Sequence, residues 1–319
     1  MNATERSIYH QFAAWRAVPT QKPLPEAALH VVTGCGTSYH LAQSIAASFT
    51  TQGHAAIAVP AGEWSRRRNA YVPDGTAGLH LLALSRSGET SETLQAIAAS
   101  RQAGESVTAV TCDAASRFGR MAGAVCLPTH AEEGIVMTAS ASTMLLACLR
   151  MAGIALGEPT IAAAETLLAE AAPVLPGLVA GRSDLVFLGG GPLYGIAQEG
   201  GIKAQEMSLS HVQAYHPLEY RHGPISLVDE RTLAVALFDI DAQPEELSIV
   251  QDIRQKGGRV LGLGGPGDTS LTPGGEKGAR GLVCLPVLQA LGEVMAQSKG
   301  LDTSAPRHLS KVVILPAPG

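Results

Sequence analysis

The stretch "LHVVTGCGTSYHLAQS" (29–44) decides the fold, because the chain contains a second version of it. "LVFLGGGPLYGIAQE" (185–199) has the same order of an apolar run, a Gly-x-Gly, a tyrosine and a helical Ala-Gln. Tyr39 matches Tyr194 and Gln43 matches Gln198, at an offset of 155 residues. A second pair of segments, 91–110 and 244–263, matches at an offset of 153. Two matches at nearly the same offset predict a duplicated lobe.

Each predicted lobe alternates short apolar runs with amphipathic helical segments that end in glycine. This alternation is typical of a parallel sheet covered by helices on both faces, so we predict an α/β protein of two tandem lobes. The predicted domains are a helical arm with a linker (1–28), lobe 1 with two crossing helices within 140–177 (29–177), and lobe 2 with a C-terminal tail (178–319). The predicted strands are 29–33, 55–59, 79–84, 106–111 and 124–127 in lobe 1, and 184–188, 211–215, 232–238, 259–263 and 281–285 in lobe 2.

The composition of the 319 residues argues against several classes of protein. A net charge of −5 disfavours nucleic acid as a partner, because phosphate backbones need concentrated Lys and Arg. We expect no membrane association, because no run of 18 or more apolar residues occurs and the first thirty residues lack a secretory pattern. Five cysteines without a Cys-x-x-Cys pair fit reduced thiols, so we expect a cytoplasmic protein without a zinc ribbon or a disulfide framework.

"LALSRSGETSETL" (82–94) places five hydroxyl side chains where a buried strand is predicted to turn into a helix. Ligands of open parallel sheets bind at the carboxyl ends of strands, where helix N-termini present free N–H groups that suit phosphate. The alternative is that these side chains are ordinary helix caps, but one cap needs one hydroxyl. We therefore predict a phosphate site here. The equivalent turn of lobe 2, "FDIDAQPEEL" (238–247), is acidic and is not expected to hold a phosphate.

A second turn, "GCGTS" (34–38), is predicted to reach the same edge of the sheet. It is not a dinucleotide-binding fingerprint, because Tyr39 stands where the third glycine would be required. The same substitution occurs at Tyr194 in lobe 2, so a nicotinamide-dependent oxidoreductase is disfavoured. The residues predicted to bind substrate or its phosphate at the two turns are Cys35, Gly36, Thr37, Ser38, Ser85, Arg86, Ser87 and Thr90.

Five motifs in one order carry a resemblance to a known family: "GCGTS", "SRSGET", "EGGIKAQEMS", "YRHGP" and "PRHLSKV". Together they resemble the sugar isomerase (SIS) proteins over about 29–313. Two branches are similar, namely the isomerase half of glucosamine-6-phosphate synthase and the hexosamine-6-phosphate deaminase/isomerase group of the galactosamine-6-phosphate type. The resemblance implies two flavodoxin-like lobes in a homodimer. We expect no glutaminase half, because residue 2 is Asn2 and fewer than thirty residues precede lobe 1.

Glu199, Lys203 and Glu206 lie at spacings of four and three residues, on one face of a predicted helix. They could form a solvent-exposed ion pair, but the rest of the helix is small and apolar, which favours a buried, functional set. Proton transfer between two sugar carbons needs one base that reaches both of them, plus donors to the oxyanion. The resemblance implies that Glu206 is this base, that Lys203 supports the enediol oxygens, and that Glu199 is the partner of a lysine.

"YHPLEYRHGPISL" (215–227) contains a second candidate group. A metal site formed by His216, Glu219 and His222 is conceivable, but the prolines at both ends disfavour the helix that it would require. The resemblance instead implies that His222 is the acid/base that opens the sugar ring, donated across the dimer interface. It also implies that Lys311 contacts the sugar from a C-terminal tail that wraps back over the site.

Several residues depart from the synthase pattern. Arg86 replaces a glutamine and adds a cation that could pair with phosphate, as in the galactosamine branch. Met137 and Thr138 stand in a segment expected to form a wall of the sugar site, so the identity of the hexosamine stays open. Cys35 is expected to contribute a backbone N–H, because no base accompanies its thiol in the sequence.

The predicted function is that of a cofactor-free and metal-free aldose–ketose isomerase of amino-sugar 6-phosphates, acting as a deaminase through an enediol or enolamine. The alternatives within enzymes are a pure isomerase or a deglycase on the same scaffold. The alternative from another class is a sugar-phosphate-sensing regulator, which would normally carry a DNA-binding domain or an eroded site.

Overall fold

The computed structural model describes residues 1–315, apart from the side chain of Lys277. It contains two five-stranded, fully parallel sheets, as predicted. The strands of lobe 1 are β1 Leu29–Gly34, β2 Ala56–Pro60, β3 Leu79–Leu84, β4 Ser106–Thr111 and β5 Val125–Cys126. The strands of lobe 2 are β6 Asp184–Gly189, β7 His211–Tyr215, β8 Thr232–Leu237, β9 Arg259–Leu263 and β10 Thr269–Leu271.

Both sheets have the same strand order. The order is β2-β1-β3-β4-β5 in lobe 1 and β7-β6-β8-β9-β10 in lobe 2, so each lobe has the 2-1-3-4-5 order of flavodoxin-like sheets. The central strands β3 and β8 are buried along their whole length, which explains their continuous apolar sequences. The strand order reverses beside β1 in lobe 1, and a ligand crevice is therefore expected where β1 and β3 end.

Helices cover both faces of each sheet. The helices that precede the crossing segment are α1 Ala3–Tyr9, α2 Phe12–Ala17, α3 Thr37–Thr51, α4 Ala61–Arg67 and α5 Ser91–Gln102. Those of the crossing segment and of lobe 2 are α6 Ala139–Met151, α7 Glu158–Ala171, α8 Leu175–Val179, α9 Pro192–Ser208, α10 Pro244–Leu247, α11 Ile249–Gln255 and α12 Arg280–Ser298. Short 3₁₀ helices lie at Arg68–Ala70, Glu219–Arg221, Pro224–Leu227 and Lys277–Ala279.

One hydrophobic core joins the two lobes. It contains side chains of α3 and α6 from lobe 1 together with those of α9 and α12 from lobe 2. The helices α3 and α9, which follow the first strand of each lobe, pack directly on each other. Their contact is closest at Gly195, where an added Cβ would lie 2.4 Å from the backbone nitrogen of Ser44. This packing brings the α9 side chains to the edge of the lobe 1 sheet.

Two expectations for this part of the chain are corrected. The predicted strand 281–285 is wrong, because these residues begin α12, and the fifth strand of lobe 2 is β10. The apolar run continues well beyond Leu285. It is therefore too long for a strand and belongs to a helix that is buried on all sides. The crossing segment contains three helices rather than two, since α7 ends at Ala171 and a further short helix begins at Leu175 with Pro176 in its first turn.

Among the described helices, α12 is long and apolar enough to cross a membrane by length and composition. However, 78% of its apolar window is buried inside the protein, as in a core helix. The predicted N-terminal arm contains α1 and α2, and the Asn2 side chain caps α1 by accepting a hydrogen bond from the amide of Glu5 (2.8 Å). The last four residues of the predicted lobe 2 lie outside the described part of the chain.

Candidate active site

A cavity of about 190 Å³ lies where β1 and β3 end. Larger cavities occur elsewhere, including one of about 550 Å³ beneath the linker at 19–25, but the predicted site residues converge only on the smaller one among the cavities described. The predicted residues that line it are Cys35, Gly36, Thr37, Ser38, Ser85, Arg86, Ser87, Thr90, Glu206 and Lys311. Residues from the two lobes and from the C-terminal tail therefore meet at one place.

The N-terminus of α3 forms one side of the cavity. Gly36 is its N-cap residue, with a φ of +54°, and no side chain caps the first turn. Gly34 is required just before it, because an added Cβ would lie 2.7 Å from the backbone carbon of Ser38. The free N–H groups and the positive end of this fifteen-residue helix favour an anion in the cavity.

The hydroxyl-rich loop forms the adjacent side. Ser85 Oγ accepts a hydrogen bond from the amide of Gly88 (3.1 Å), and Ser87 Oγ accepts one from the amide of Glu89 (3.2 Å). Thr90 is the N-cap residue of α5, but its side chain makes no capping hydrogen bond. No side chain therefore caps α5, although the amide of Ser91 donates to the carbonyl oxygen of Val313 in the tail (3.5 Å), so a second helix N-terminus without a side-chain cap borders the cavity.

The thiol of Cys35 fits no role as a nucleophile. Burial raises its pKa to about 11, and the negative charge of Glu92 acts in the same direction. The thiol is therefore protonated near neutral pH, when it is a poor nucleophile. This agrees with the prediction that Cys35 contributes through its backbone.

Arg86 lines the cavity, but backbone oxygens occupy much of its guanidinium group. Nη1 donates to the carbonyl oxygen of Gly134 (2.9 Å), and Nη2 donates to those of Ile135 (2.8 Å) and Lys311 (3.4 Å). Burial lowers the pKa of Arg86, while the nearby charge of Glu133 raises it. The expected pairing of Arg86 with phosphate thus competes with three hydrogen bonds that are already made.

The helix α9 presents the predicted acid–base group from the other lobe. Lys203 is fully buried and donates a short hydrogen bond to Oε2 of Glu206, whose side chain is 22% exposed toward the cavity. Lys203 Nζ also lies 3.8 Å from Oε1 of the fully buried Glu199. The pKa of Glu199 is raised to about 8, because the effect of burial outweighs the lowering by Lys203 and is assisted by the negative charge of Glu206. Glu206 is thus the one member of the three that reaches the cavity.

Small residues make this arrangement possible. At Gly200 an added Cβ would lie 2.9 Å from the ring of Phe187, and at Gly201 it would lie 3.1 Å from Val212. These glycines allow α9 to lie directly on β6 and β7, which fixes the direction of its charged face.

Comparisons with known proteins agree with this geometry. Residues 27–155 match the model of the SIS domain family. Over these residues the chain is similar to SIS domains. The chain is 28% identical over 314 residues to a glutamine–fructose-6-phosphate aminotransferase (isomerizing) from Caldanaerobacter subterraneus subsp. tengcongensis, covering 88% of this chain and 51% of that protein. The chain spans about half the length of the curated relatives that it matches.

Solved structures extend the similarity over both lobes. A glucosamine-6-phosphate deaminase from Thermotoga maritima has a TM-score of 0.85 and 26% identity, covering 98% of this chain and 100% of that chain. A tagatose-6-phosphate ketose/aldose isomerase from Escherichia coli has a TM-score of 0.81 at 23% identity, covering 94% of this chain and 93% of that chain, and shows a shared fold. The two-lobed fold is confirmed, and the predicted resemblance to SIS proteins is confirmed over residues 27–155.

Two of the predicted site residues, Lys311 and His222, lie in different positions relative to the cavity. Lys311 is exposed and lines the cavity from the tail, which passes from α12 to the N-terminus of α5. His222 is exposed after the 3₁₀ helix Glu219–Arg221 and is not among the residues that line the cavity of its own chain. No group of three or more His, Cys, Asp or Glu side chains within residues 1–315 is arranged to hold a metal ion.

The predicted wall of the sugar site differs from expectation in part. Met137 lines the cavity, but Thr138 is buried away from it and its hydroxyl lies 2.6 Å from that of Ser7. Sequence reasoning missed Glu133, which is 8% exposed and accepts hydrogen bonds from the backbone amides of Thr138 and Ser140. Nothing in its sequence context, "HAEEGIV", distinguishes it from the exposed neighbouring Glu132.

Sequence reasoning also missed His40, which lies on α3 between the two lobes. Its Nδ1 lies 3.2 Å from Oε1 of Gln198, and burial lowers its pKa. Gln198 in turn donates to the hydroxyl of Tyr194 (2.9 Å), just as Gln43 donates to that of Tyr39 (3.2 Å). The repeated Tyr-x-x-x-Gln spacing was the signal that could have located this group at the contact between α3 and α9.

The equivalent edge of lobe 2 is built differently. A cavity of about 260 Å³ lies there, between the end of β8 and the N-terminus of α9, and it is lined by acidic residues that include Asp239 and Glu246. Carboxylates at this position repel a phosphate group. The prediction that only lobe 1 offers a phosphate site remains consistent with this charge distribution.

Proposed function

We propose that the chain is an aldose–ketose isomerase of amino-sugar 6-phosphates that releases ammonia, and thus a hexosamine-6-phosphate deaminase. The observation that supports this most strongly is the Lys203–Glu206 pair, which opens onto a cavity bordered by two helix N-termini without side-chain caps. The helix N-termini would hold the 6-phosphate at one end of the sugar. The carboxylate of Glu206 would then face the carbons at the other end.

In the proposed reaction Glu206 removes the proton from C2 of the open-chain amino sugar, and the electrons of that bond form a C1=C2 double bond. The π electrons of the C1 carbonyl group move to its oxygen, which takes up a proton to give the enolamine. Glu206 returns a proton to C1, which leaves an imine at C2. Water adds to this imine and ammonia departs, so the product is the ketohexose 6-phosphate. Lys203 does not line the cavity, so its ammonium group, which is paired with Glu206, would stabilise the developing negative charge on oxygen through its electric field rather than by direct contact.

The proposal includes a cytoplasmic homodimer with a shared site. His222 is exposed and lies outside the cavity of its own chain, so an acid/base role for it requires the cavity of a second copy. In this arrangement His222 of the partner subunit would open the sugar ring. Lys311 would contact the sugar from the tail of the same subunit.

The test is an assay of purified protein with glucosamine 6-phosphate and galactosamine 6-phosphate, measuring ammonia and the ketohexose 6-phosphate together. We expect both products in equal amounts from at least one substrate, and neither from the unphosphorylated sugar. The Glu206→Gln variant is the matched negative control. Interconversion of an aldose and a ketose phosphate without ammonia release would instead support the alternative of a pure isomerase.

A further inference from the structure

Arg86 connects two separate segments of the chain at the mouth of the cavity. Two of its acceptors, the carbonyl oxygens of Gly134 and Ile135, belong to the wall segment (134–138), and the third, that of Lys311, belongs to the tail (302–315). Both segments line the cavity, through Ile135 and Met137 of the wall segment and through Lys311 of the tail. One side chain is therefore hydrogen-bonded to both segments.

The backbone of Arg86 is itself fixed to the sheet. Its carbonyl oxygen accepts a hydrogen bond from the amide of Cys112 (3.0 Å) and another from the hydroxyl of Thr111 (3.1 Å) at the end of β4. The side chain is only 7% exposed. Arg86 is thus a rigid support, to which the two irregular segments are attached.

The far end of the wall segment is attached by Glu133. Its Oε1 accepts hydrogen bonds from the amide of Ser140 (3.0 Å) and the hydroxyl of Ser140 (2.9 Å), and Oε2 accepts one from the hydroxyl of Thr129. These contacts cap the start of α6, whose N-cap residue Thr138 makes no side-chain capping bond. The wall segment is therefore held at one end by Glu133 and at the other by Arg86.

We propose that Arg86 is a positioning residue rather than a ligand of the phosphate. It holds the wall segment and the tail at fixed positions relative to the hydroxyl-rich loop (82–94). Its effect on the reaction acts through Ile135 and Met137, which line the cavity, and through Lys311, which contacts the sugar in the proposed function; in that respect the inference rests on that function. In this proposal the residues that contact the sugar lie on the wall segment and on the tail, and Arg86 attaches both segments to the hydroxyl-rich loop.

Arginine is suited to this task because its planar guanidinium group presents five N–H donors in a fixed fork. Lysine at this position keeps a positive charge near the phosphate but offers a single flexible ammonium group. It therefore cannot hold three carbonyl oxygens from two segments in the same way. Arg86→Lys separates a positioning role, which it loses, from electrostatic attraction for phosphate, which it keeps.

The experiment measures the two segments without using enzymatic activity. In Arg86→Lys, we expect amide hydrogen exchange at Thr138 and Ser140 and tryptic cleavage after Lys311 to become faster by about tenfold, the effect of losing roughly one hydrogen bond to a charged group. We expect the affinity for inorganic phosphate to change by less than about threefold, because the charge is kept. Arg101→Lys, at the exposed far end of α5, is the matched control and should change none of these measurements.

Glu133→Gln provides the second variant. It weakens only the attachment of the wall segment, so exchange at Ser140 should rise while cleavage after Lys311 stays at the wild-type rate. Unchanged exchange and cleavage in Arg86→Lys overturn the proposal. So does a loss of phosphate affinity of more than tenfold without faster exchange, which would make Arg86 a phosphate ligand.

Activity adds a readout that loss of stability alone would not give. If the proposed function holds, Arg86→Lys should raise the KM for the hexosamine 6-phosphate and lower kcat, while inorganic phosphate still inhibits at its wild-type concentration. If the protein is inactive toward every hexosamine 6-phosphate but shows the expected exchange and cleavage, the positioning role of Arg86 stands and the proposed function fails.

Discussion

At the scale of single residues, the site depends on three charged groups on one helix that differ in burial. Glu199 and Lys203 are fully buried, whereas Glu206 is partly exposed toward the cavity. The two carboxyl groups therefore have different chemical properties. A buried carboxyl group favours its neutral form, whereas a carboxylate that reaches the cavity and is paired with an ammonium group can act as a base. Glu199 is therefore expected to make the stability of the protein depend on pH, and Glu206 is the candidate base.

The raised pKa of Glu199 predicts a stability that falls with rising pH. Its pKa is about 8 in the folded protein and near its ordinary value of 4.5 in the unfolded chain. The folded state therefore binds more protons between these values, so stability is fully present below pH 4.5 and is lost as the pH rises to about 8.

Thermal unfolding of the wild type and of Glu199→Gln, followed from pH 5 to about 8.5, tests this prediction. The free energy of unfolding of the wild type should fall relative to that of the variant, by at most about 1.4 kcal/mol per pH unit for one proton. Parallel pH profiles for the two proteins would show that Glu199 is ionised throughout.

The phosphate site gives a second prediction at this scale. Ser87→Ala or Thr90→Val should weaken the binding of a sugar phosphate by about 1–2 kcal/mol each, the loss of a hydrogen bond to a charged group. Isothermal titration with a hexosamine 6-phosphate measures this, and Ser65→Ala, on α4 outside the cavity, is the control. If neither loop variant weakens binding, the phosphate lies elsewhere.

At the scale of elements, the contact between α3 and α9 brings the acid–base group of lobe 2 to the cavity of lobe 1. Gly195 allows this contact, because an added Cβ would lie 2.4 Å from the nitrogen of Ser44 and 2.6 Å from the carbonyl oxygen of His40. Both neighbours are backbone atoms of a buried helix, so neither can move without displacing α3.

Gly195→Ala should therefore destabilise the protein by roughly 3 kcal/mol or more, as overpacking of a rigid core does. Gly177→Ala is the matched control, because Gly177 also lies in a helix but an added Cβ would meet no atom within 4 Å. It should be neutral, or stabilising by about 0.5–1 kcal/mol. Chemical denaturation measures both, and equal effects of the two changes would contradict the close helix contact.

The elements also show how far the sequence determines the structure. Nine strands and the helix that carries Glu199, Lys203 and Glu206 follow from periodicity and glycine spacing, since these signals are local. The strand predicted at 281–285 failed because a short apolar run cannot be distinguished from the start of a fully buried helix without its surroundings. His40 was missed because its role depends on Gln198, which is far away in sequence. Glu133 was missed although its partners Thr138 and Ser140 are near in sequence, because nothing in its sequence context distinguishes it from the exposed Glu132.

At the scale of the whole molecule, the site draws on both lobes and on the tail, and the proposed function adds a second subunit. His222 lies outside the cavity of its own chain, whereas Glu206 lines it. If His222 of the partner subunit completes each site, two inactive proteins should complement each other in a mixed dimer.

We expect a mixture of Glu206→Gln and His222→Ala proteins to regain activity after subunit exchange, because one hybrid site contains both wild-type groups. About a quarter of wild-type activity is the upper limit, since random mixing makes half of the dimers hybrids and each hybrid has one intact site. Subunit exchange is verified by native mass spectrometry with a tagged subunit. No recovery in verified hybrids would place both residues in the site of one subunit or make His222 structural.

The central claim is that Glu206 moves a proton between C2 and C1 of the sugar, and the most direct measurement follows that proton. With substrate deuterated at C2, the wild type should transfer part of the label to C1 of the product, because one carboxylate serves both carbons. Glu206→Gln keeps the shape of the side chain but removes its basicity, so kcat should fall by about 10²–10⁴-fold with nearly unchanged substrate affinity. Turnover near the wild-type rate in Glu206→Gln, with label still transferred from C2 to C1, would contradict the account.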